Sequence, residues 1–301
     1  MNAILSKTPP RPAVRPLHQA AAPFPMNDRD FDALRQLVYE QCAIDIRPHK
    51  KQLMINRLTK RLRLLGLPSF TQYVDYLCND RHREQELVHL IDAITTNKTD
   101  FFRESKHFSF LEEVAAPEII RRAGRSERRL RIWSAACSSG EEPYSITICL
   151  NEMLQRHPGW SFEILASDIS EAILQQAAGG IYDASKVAPI PMNLLRKYFL
   201  RGHNRFKIKP QAARSVNFQK INLKSDFHRS LSNMDAIFCR NVLIYFDRTT
   251  QADIIQKCWH VLRPGGYLFL GHSETLQGMK TDFHYRLPAV YQKGIHESNR
   301  R

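Results

Sequence analysis

The sequence contains no apolar run long enough to cross a membrane, although 43% of its 301 residues are hydrophobic. A spanning helix needs about 20 consecutive, predominantly apolar residues. A compact apolar stretch near the N terminus is also missing, so we expect no secretory signal. The six cysteines are scattered without a C-x-x-C pair, which predicts reduced thiols and neither a disulfide framework nor a metal site. Together these absences predict a cytoplasmic protein without membrane insertion.

Acidic residues are fewer than basic ones. The chain has 30 Asp and Glu against 44 Lys and Arg, which gives a formal net charge of +14. A strongly basic chain favours an acidic partner, either a nucleic acid or an acidic protein surface. The charge alone does not choose between these two classes.

The composition changes along the chain and predicts five segments. Residues 1–25 contain six of the sixteen prolines and no acidic residue, which predicts a disordered leader. Amphipathic helical patterns indicate a helical domain over residues 26–95, and a linker with a connecting helix follows at 96–128. The largest domain spans residues 129–295, and 296–301 are a short tail.

Four helices are expected in the helical domain. The second, near residues 50–65, carries an apolar face and ends at Gly66, a residue typical of helix C-termini. Its predicted apolar face consists of Leu53, Ile55, Leu58 and Leu62.

Strands alternate with helices in the large domain. The strand patterns lie near residues 130–134, 162–167, 235–239 and 267–271, and the helical patterns between them lie at 143–156, 170–178 and 250–262. This alternation predicts an α/β fold with a doubly wound, mostly parallel sheet.

Two further segments have strand-like alternation without a helix before them. Residues 283–293 predict an added antiparallel strand. Residues 199–218 predict a small inserted β-subdomain, in which 205–209 pairs with 215–218.

Small residues follow the first strand of the predicted sheet, where positions 135–140 read Ala-Ala-Cys-Ser-Ser-Gly. Small side chains let the backbone approach a ligand at the carboxyl edge of such a sheet. The turn lacks the G-x-G-x-x-G pattern, and Glu141 and Glu142 stand where a phosphate would bind. A cationic or amine-bearing ligand fits better, although the two glutamates could also simply favour the helix dipole.

Asp168 ends the second strand of the sheet. A carboxylate at this position can accept both hydroxyls of a ribose, in NAD or in S-adenosylmethionine. It could alternatively cap the following helix, a role that Ser170 could fill equally well. The segment 95–103 joins the two domains and combines polar side chains with two aromatic residues and Arg103. It could be a structural clasp or a cover over a nucleoside.

Several sequence blocks occur in a characteristic order. They are Asn97-x-Thr99-x-Phe101-Phe102-Arg103, Ser139-Gly140-Glu141-Glu142-Pro143-Tyr144-Ser145, Ala166-Ser167-Asp168-Ile169, Phe238-Cys239-Arg240-Asn241-Val242-x-Ile244-Tyr245-Phe246 and Gly271-His272-Ser273-Glu274. The ordered set closely resembles the CheR-type chemoreceptor methyltransferases, which move a methyl group from S-adenosylmethionine to receptor glutamates. The resemblance covers residues 28–293 and implies a Rossmann-like class I methyltransferase domain with an N-terminal all-helical domain and an inserted β-subdomain.

The resemblance also implies a set of cofactor-binding residues. Those expected near S-adenosylmethionine, and near the product S-adenosylhomocysteine, are Asn97, Thr99 and Arg103 by the methionine end and methyl group, Glu142 by the amino-acid portion, Asp168 by the ribose, Asn222 and Leu223 by the adenine, and Arg240 and Asn241 completing the pocket.

The resemblance to these enzymes implies catalysis by Arg103 and Tyr245. A glutamate carboxylate is already ionised at neutral pH, since its ordinary pKa is near ~4.3, and no general base is needed. Arg103 would orient that carboxylate through paired hydrogen bonds, and Tyr245 would aid alignment.

Basic residues are concentrated in the second helix and its approach, with no acid from Arg47 to Leu65. This charge could be a solvated face. The resemblance favours docking to the acidic helical region of cytoplasmic chemoreceptor domains. We expect the enzyme to be a monomer. The predicted docking residues are Lys50, Lys51, Arg57, Lys60, Arg61 and Arg63.

Two other functions remain open at this point. The charge would suit a nucleic-acid methyltransferase, but the Arg240-Asn241-Val242-Leu243 strand end lacks the Asn/Asp-Pro-Pro-aromatic sequence of the base-modifying amino methyltransferases. A non-catalytic S-adenosylmethionine-binding module is the other alternative, and the presence of Arg103, Asn241 and Tyr245 argues against it.

Overall fold

The computed structural model describes residues 24–123 and 128–295. The predicted leader up to residue 23 and the predicted tail at 296–301 lie outside these ranges. Within them, no helix combines the length and the apolar character that a membrane span requires.

The first domain consists of four helices, α1 (Asp28–Cys42), α2 (Lys51–Leu65), α3 (Phe70–Cys78) and α4 (Asp80–Ile94). Asn27 caps α1, because its side chain accepts a hydrogen bond from the Asp30 backbone N–H at 2.7 Å. Gly66 ends α2 in the left-handed conformation, with φ of 67°. The inward faces of all four helices share one hydrophobic core, which contains Leu34, Leu58 and Leu90.

The predicted apolar face of α2 needs one correction. Leu53 is 38% exposed, whereas Met54 is fully buried together with Leu58 and Leu62. Positions 54, 58 and 62 follow the four-residue spacing of one helix face, and position 53 is rotated away from that face by about 100°.

A second helical stretch connects the two domains. It runs through α5 (Lys106–Phe110), a wider π-helical turn (Leu111–Ala115) and α6 (Ala116–Arg122). Pro117 lies at the start of α6 and has no N–H to donate to the preceding turn, which favours an irregular turn at that point.

The large domain contains a seven-stranded sheet. Its strands are β1 (Arg129–Ala135), β2 (Ser161–Asp168), β6 (Val216–Lys220), β7 (Met234–Cys239), β8 (Leu262–Leu270), β9 (Phe283–Leu287) and β10 (Val290–Lys293). They are arranged in the order β6-β2-β1-β7-β8-β10-β9. The first five strands in this order are parallel, while β10 is antiparallel to both β8 and β9. The doubly wound, mostly parallel sheet is therefore confirmed.

Helices cover both faces of this sheet. They include α7 (Glu141–Leu154), α8 (Glu171–Gly179) and α12 (Arg248–Val261). Successive strand residues point to opposite faces: Ile237 packs in the core beneath α12, and Phe238 packs in the core beneath α7. Because both faces are covered, β7 is buried along its whole length.

The inserted β-subdomain differs from the predicted pairing. Its three strands, β3 (Ile181–Asp183), β4 (Phe199–Arg201) and β5 (Arg205–Ile208), pair in the order β3-β5-β4. The prediction that 215–218 pairs with 205–209 is wrong, because β6 pairs in parallel with β2 at the edge of the main sheet. Short helices complete this region: α9 (Ala184–Val187), α10 (Met192–Tyr198) and α11 (Pro210–Ala213).

The C-terminal segment also differs in detail. Residues 283–293 form two antiparallel strands, β9 and β10, instead of a single added strand. The turn between them contains Ala289 in the left-handed conformation, with φ of 63°.

Candidate active site

The cleft of interest lies at the carboxyl ends of β1, β2 and β7, where the strand order changes direction around β1. Open α/β sheets bind their ligands at such a position. The cleft encloses about 990 Å³ of empty space, including its open mouth. It brings together all ten residues predicted for the cofactor and for catalysis: Asn97, Thr99, Arg103, Glu142, Asp168, Asn222, Leu223, Arg240, Asn241 and Tyr245.

The turn after β1 adopts a conformation that brings its backbone close to the cleft. Ala136, Ser138 and Gly140 all have left-handed φ angles, of 57°, 52° and 92°. A Cβ at Gly140 would lie 2.9 Å from the Tyr182 hydroxyl and 3.0 Å from the Ala177 Cβ. Only glycine fits at that position, and the small side chains of the turn leave the cleft open.

Asp168 is buried at the end of β2, and both of its oxygens accept backbone hydrogen bonds. The N–H of Ser138 donates to Oδ2 at 3.0 Å, and the N–H of Ser170 donates to Oδ1 at 3.1 Å. Ser170 caps α8 by accepting a hydrogen bond from the Ile173 N–H, so Asp168 is not the cap. Burial raises the pKa of Asp168, although these backbone N–H groups oppose the shift.

Glu142 and Glu104 flank the guanidinium of Arg240 at the base of the cleft. Arg240 Nη1 donates to Glu142 Oε2 at 2.9 Å, and Nη2 donates to Glu104 Oε2 at 2.8 Å. Ser134 Oγ donates to the other oxygen of Glu142 at 2.7 Å. Burial raises the pKa of Glu142. At Glu104 burial acts in the same direction, but Arg240 and the hydrogen bonds from His272 and Asn241 together lower its pKa.

The segment between the domains is both a clasp and a wall of the cleft. Phe101 is buried against Tyr182 and Phe199 in edge-to-face contacts. These contacts hold the segment against the β-subdomain. Arg103 lines the cleft and donates from Nη1 to the Lys98 carbonyl at 3.0 Å. The Ser145 hydroxyl fixes the turn by accepting the Phe102 N–H at 2.9 Å.

The helical domain contributes to the cleft, which the sequence did not predict. Cys42, the last residue of α1, and Ile44, just after it, line the cleft. Asn222 ties this part of α1 to the sheet by donating to the Gln41 carbonyl at 2.7 Å. The carbonyl of Tyr245 accepts the Asp45 N–H at 2.8 Å, which provides a second tie.

Glu274 and Glu104 are also functional candidates, although the sequence patterns assigned no role to either residue. Glu274 accepts the backbone N–H groups of Asn241, Leu243 and Gly271 at 2.8, 2.7 and 2.6 Å. The only sequence signal for Glu274 was its place in the Gly271-His272-Ser273-Glu274 block. Glu104 follows Arg103 directly, and its roles depend on contacts that only the folded chain brings about.

Half of the predicted docking residues have partners within the protein. Arg61 forms a double hydrogen bond with the buried Glu86 at 2.7 and 2.6 Å. Arg57 donates to the carbonyls of residues 94 and 95, and Lys51 pairs with Asp28 at 2.6 Å. The residues of the predicted set that remain exposed are Lys50, Lys60 and Arg63.

Two protein-family models match almost the whole described chain. The model for the CheR methyltransferase SAM binding domain matches residues 97–289, and the model for the CheR methyltransferase all-alpha domain matches residues 29–95. The chain belongs to the CheR methyltransferase family. The family predicted from the sequence blocks is thereby confirmed, and S-adenosylmethionine is the cofactor.

Curated relatives support the same assignment over nearly their full length. A chemotaxis protein methyltransferase of Klebsiella aerogenes is 41% identical over 282 residues, which cover 91% of this chain and 93% of the relative. Those of Salmonella typhimurium and Escherichia coli are 39% and 38% identical, and each alignment covers 88% of this chain and at least 90% of the relative.

The residues of the cleft fit this cofactor. A carboxylate has about four lone-pair sites, so Asp168 can still accept two hydroxyl groups beside its two backbone donors. The Glu142 carboxylate lines the cleft and suits a charged amino group. The buried Leu223 offers an apolar surface for a purine.

Proposed function

We propose that this enzyme transfers the methyl group of S-adenosylmethionine to glutamate side chains in the cytoplasmic helical region of chemoreceptors and forms glutamyl methyl esters. The curated relatives named chemotaxis protein methyltransferases support this substrate class. One observation carries the proposal: Arg103 and Tyr245 line the same cleft as all the proposed cofactor-binding residues. We further propose that the enzyme acts as a cytoplasmic monomer.

The proposed reaction needs no general base. The acceptor carboxylate is already ionised, and its attack on a sulfonium methyl removes one negative and one positive charge. A cleft poor in water strengthens the attraction between these opposite charges. Positioning the two reactants can supply up to ~7–11 kcal/mol of the barrier reduction, provided that they meet in line.

Arg103 is the residue best suited to orient the acceptor. Among the residues that the structure describes, its side chain makes one hydrogen bond, to the Lys98 carbonyl. Four N–H donors of the guanidinium therefore remain, in a planar arrangement that matches a carboxylate. Tyr245 lines the same part of the cleft, and its hydroxyl would align the acceptor with the methyl group.

Lys50, Lys60 and Arg63 are proposed to attract the acidic receptor region. All three are exposed and lie on or just before α2. Attraction between exposed charges accelerates association and is screened by salt. The contribution of Arg57, Arg61 and Lys51 to docking would be smaller, because their charges already have partners.

The test of this function is a transfer assay with radiolabelled S-adenosylmethionine and membranes that contain chemoreceptors. Mild alkali converts carboxyl methyl esters to volatile methanol, whereas N-methyl groups stay attached. We expect alkali-labile label in the receptor band, and none in membranes without receptors.

Three results would overturn the proposal. Label in RNA or DNA instead of receptor protein would indicate a nucleic-acid methyltransferase. Alkali-stable label in the receptor would indicate a different acceptor atom. Cofactor binding without transfer to any receptor tested would indicate a non-catalytic binding module.

A further inference from the structure

Three potential metal ligands converge behind the Arg240 side chain. Glu104, His107 and His272 each offer one ligand atom, and these atoms all lie within 4.8 Å of one another. Nδ1 of His107 is 3.5 Å from Glu104 Oε2, and Nε2 of His272 is 3.9 Å from the same oxygen. Ligands of a tetrahedral ion lie about 3.3–3.6 Å apart when each metal–ligand distance is about 2.0–2.2 Å. The pair of His107 and Glu104 has this spacing, and a small side-chain movement would bring His272 to it.

His107 has unusual surroundings for a histidine. Its side chain is fully buried, and neither ring nitrogen makes a hydrogen bond of normal geometry. The ring interacts with the Pro288 backbone and the Glu104 carboxylate. A buried ring without a well-formed hydrogen bond is nevertheless rare and can mark an ion site. A neutral imidazole ring can offer one nitrogen lone pair to a metal ion.

The third ligand provides access to the cluster. His272 is half exposed, with 51% of its side chain open to solvent, and its ring contacts the ring of His107 at a centroid distance of 5.2 Å. An ion can therefore reach the buried His107 past a side chain that is half open to solvent. The contact with Phe269 restricts the His107 ring from the other side.

We propose that Glu104, His107 and His272 form an inhibitory site for a transition-metal ion, with Zn²⁺ as the best-suited ion. Two imidazoles and one carboxylate are a ligand set typical of zinc, with a fourth position left for water. The same set suits Mg²⁺ poorly, because Mg²⁺ prefers oxygen ligands and octahedral geometry.

A metal ion bound at this site would disturb the cofactor cleft. The Glu104 oxygen nearest both histidines also accepts the hydrogen bond from Arg240, and the other oxygen accepts from the Asn241 amide. A metal ion would draw Glu104 away from both donors. Arg240 keeps Glu142 as a partner, so its charge stays compensated while its position changes. Zn²⁺ and the cofactor therefore weaken each other's binding, as linkage requires.

The experiment measures binding and needs no methyl acceptor, so it is independent of the proposed substrate. Zn²⁺ affinity is measured by competition with a chromophoric chelator, and S-adenosylhomocysteine affinity is measured by calorimetry with and without Zn²⁺. His272→Gln removes one ligand and retains the backbone N–H that donates to Glu104. His203→Gln is the matched control, since His203 is exposed in a turn of the β-subdomain.

We expect Zn²⁺ to weaken S-adenosylhomocysteine binding by the wild-type enzyme and by His203→Gln, and Mg²⁺ at the same concentration to have no effect. His272→Gln should bind Zn²⁺ at least about tenfold more weakly, since even a supporting residue of a metal site contributes that much. Its affinity for S-adenosylhomocysteine without metal should equal that of the wild type. Equal Zn²⁺ affinity in all three proteins, or unchanged S-adenosylhomocysteine binding in Zn²⁺-loaded wild type, would overturn the proposal.

Discussion

The carboxylate of Glu274 accepts the backbone N–H of Asn241 at 2.8 Å. Asn241 has a left-handed backbone conformation, with φ of 57°, which asparagine adopts more readily than most residues other than glycine. The same carboxylate accepts the N–H groups of Leu243 and Gly271. Glu274 therefore fixes the turn that places Asn241 and Tyr245 at the cleft.

Glu274→Gln should disturb this turn while preserving side-chain size. The amide has one acceptor oxygen and one NH₂ group, and the NH₂ group would face backbone donors that need an acceptor. A buried donor without a partner costs about 1–3 kcal/mol, so we expect roughly a tenfold or greater loss of S-adenosylhomocysteine affinity and a lower melting temperature. Calorimetry and thermal unfolding measure the two effects. Glu113→Gln, on the exposed side of the connecting helix, is the control that should change neither.

Gly271→Ala tests the same turn by adding a methyl group that would press against Asn241. A Cβ at Gly271 would lie 2.3 Å from the Asn241 side-chain nitrogen and 2.8 Å from its backbone nitrogen. The backbone contact cannot be relieved by a rotamer change, so the turn must shift, and overpacking of this kind destabilises by about 1–3 kcal/mol. We expect weaker cofactor binding and reduced stability. Gly179→Ala is the control, because there is open space around the new methyl group. Wild-type cofactor affinity and stability in both variants would show that the turn tolerates displacement.

Asp168 should make cofactor binding depend on pH. Burial raises the pKa of Asp168 above its ordinary value of 3.8, and only the ionised carboxylate can accept both ribose hydroxyls. The affinity for the cofactor is therefore highest well above this raised pKa and falls as the pH drops through it. The fall begins at a higher pH than it would for an exposed aspartate. Asp168→Asn should bind S-adenosylhomocysteine about 10–100-fold more weakly at neutral pH, corresponding to 1.5–3 kcal/mol.

The pH profile of Asp168→Asn should also be flatter than that of the wild type. The slope that remains is expected from Glu142, whose pKa is also raised by burial. Calorimetric titrations across the acidic range give both profiles. Asp75→Asn, at an exposed position of α3, should retain the wild-type profile. Identical profiles for Asp168→Asn and the wild type would remove Asp168 from the ribose site.

Arg103→Ala should reduce turnover more than cofactor affinity. The side chain is proposed to orient the acceptor carboxylate, and misplacement of a reactant by about 1 Å can lower the rate roughly 10²-fold. Arg103→Lys keeps the charge but loses the planar pair of donors, so it should restore little of the lost rate. Steady-state kinetics with receptor and calorimetry with S-adenosylhomocysteine separate the two effects. A loss confined to affinity would contradict the orienting role.

Arg61 and Arg63 should differ in function although they lie on the same helix. Arg61 is paired with the buried Glu86, which also accepts the Tyr73 hydroxyl at 2.8 Å. Arg61→Ala should therefore lower the free energy of unfolding by roughly 1.5–3 kcal/mol. The double variant Lys60→Ala/Arg63→Ala should keep its stability and associate more slowly with receptor fragments at low salt. An equal loss of association rate in both variants would contradict separate roles for Arg61 and Arg63.

The main sheet and the cleft could be predicted because they depend on local patterns. Strand and helix periodicities give the alternation of elements, and the carboxyl ends of parallel strands must share one edge. Asp168 and Asn241 follow two such strands, so their shared location follows from topology. The ordered sequence blocks then added the family and, with it, the nature of the ligand.

The remaining features depend on contacts between distant segments. Glu104 and His272 are separated by 168 positions, and no spacing rule for metal ligands connects them. The sequence pattern predicts the wrong partner for β6, because its alternation fits the β-subdomain as well as the free edge of β2. Arg61 has the composition of a surface residue, and only the packing of α2 against α4 reveals its buried partner Glu86.

The most direct test of the account is a crystal structure of the enzyme with S-adenosylhomocysteine. We predict the ribose hydroxyls on Asp168, the purine beside Asn222 and Leu223, and the sulfur directed toward Arg103 and Tyr245. A nucleoside bound away from the edge formed by Asp168 and Asn241 would contradict the proposed site and the mechanism that depends on it.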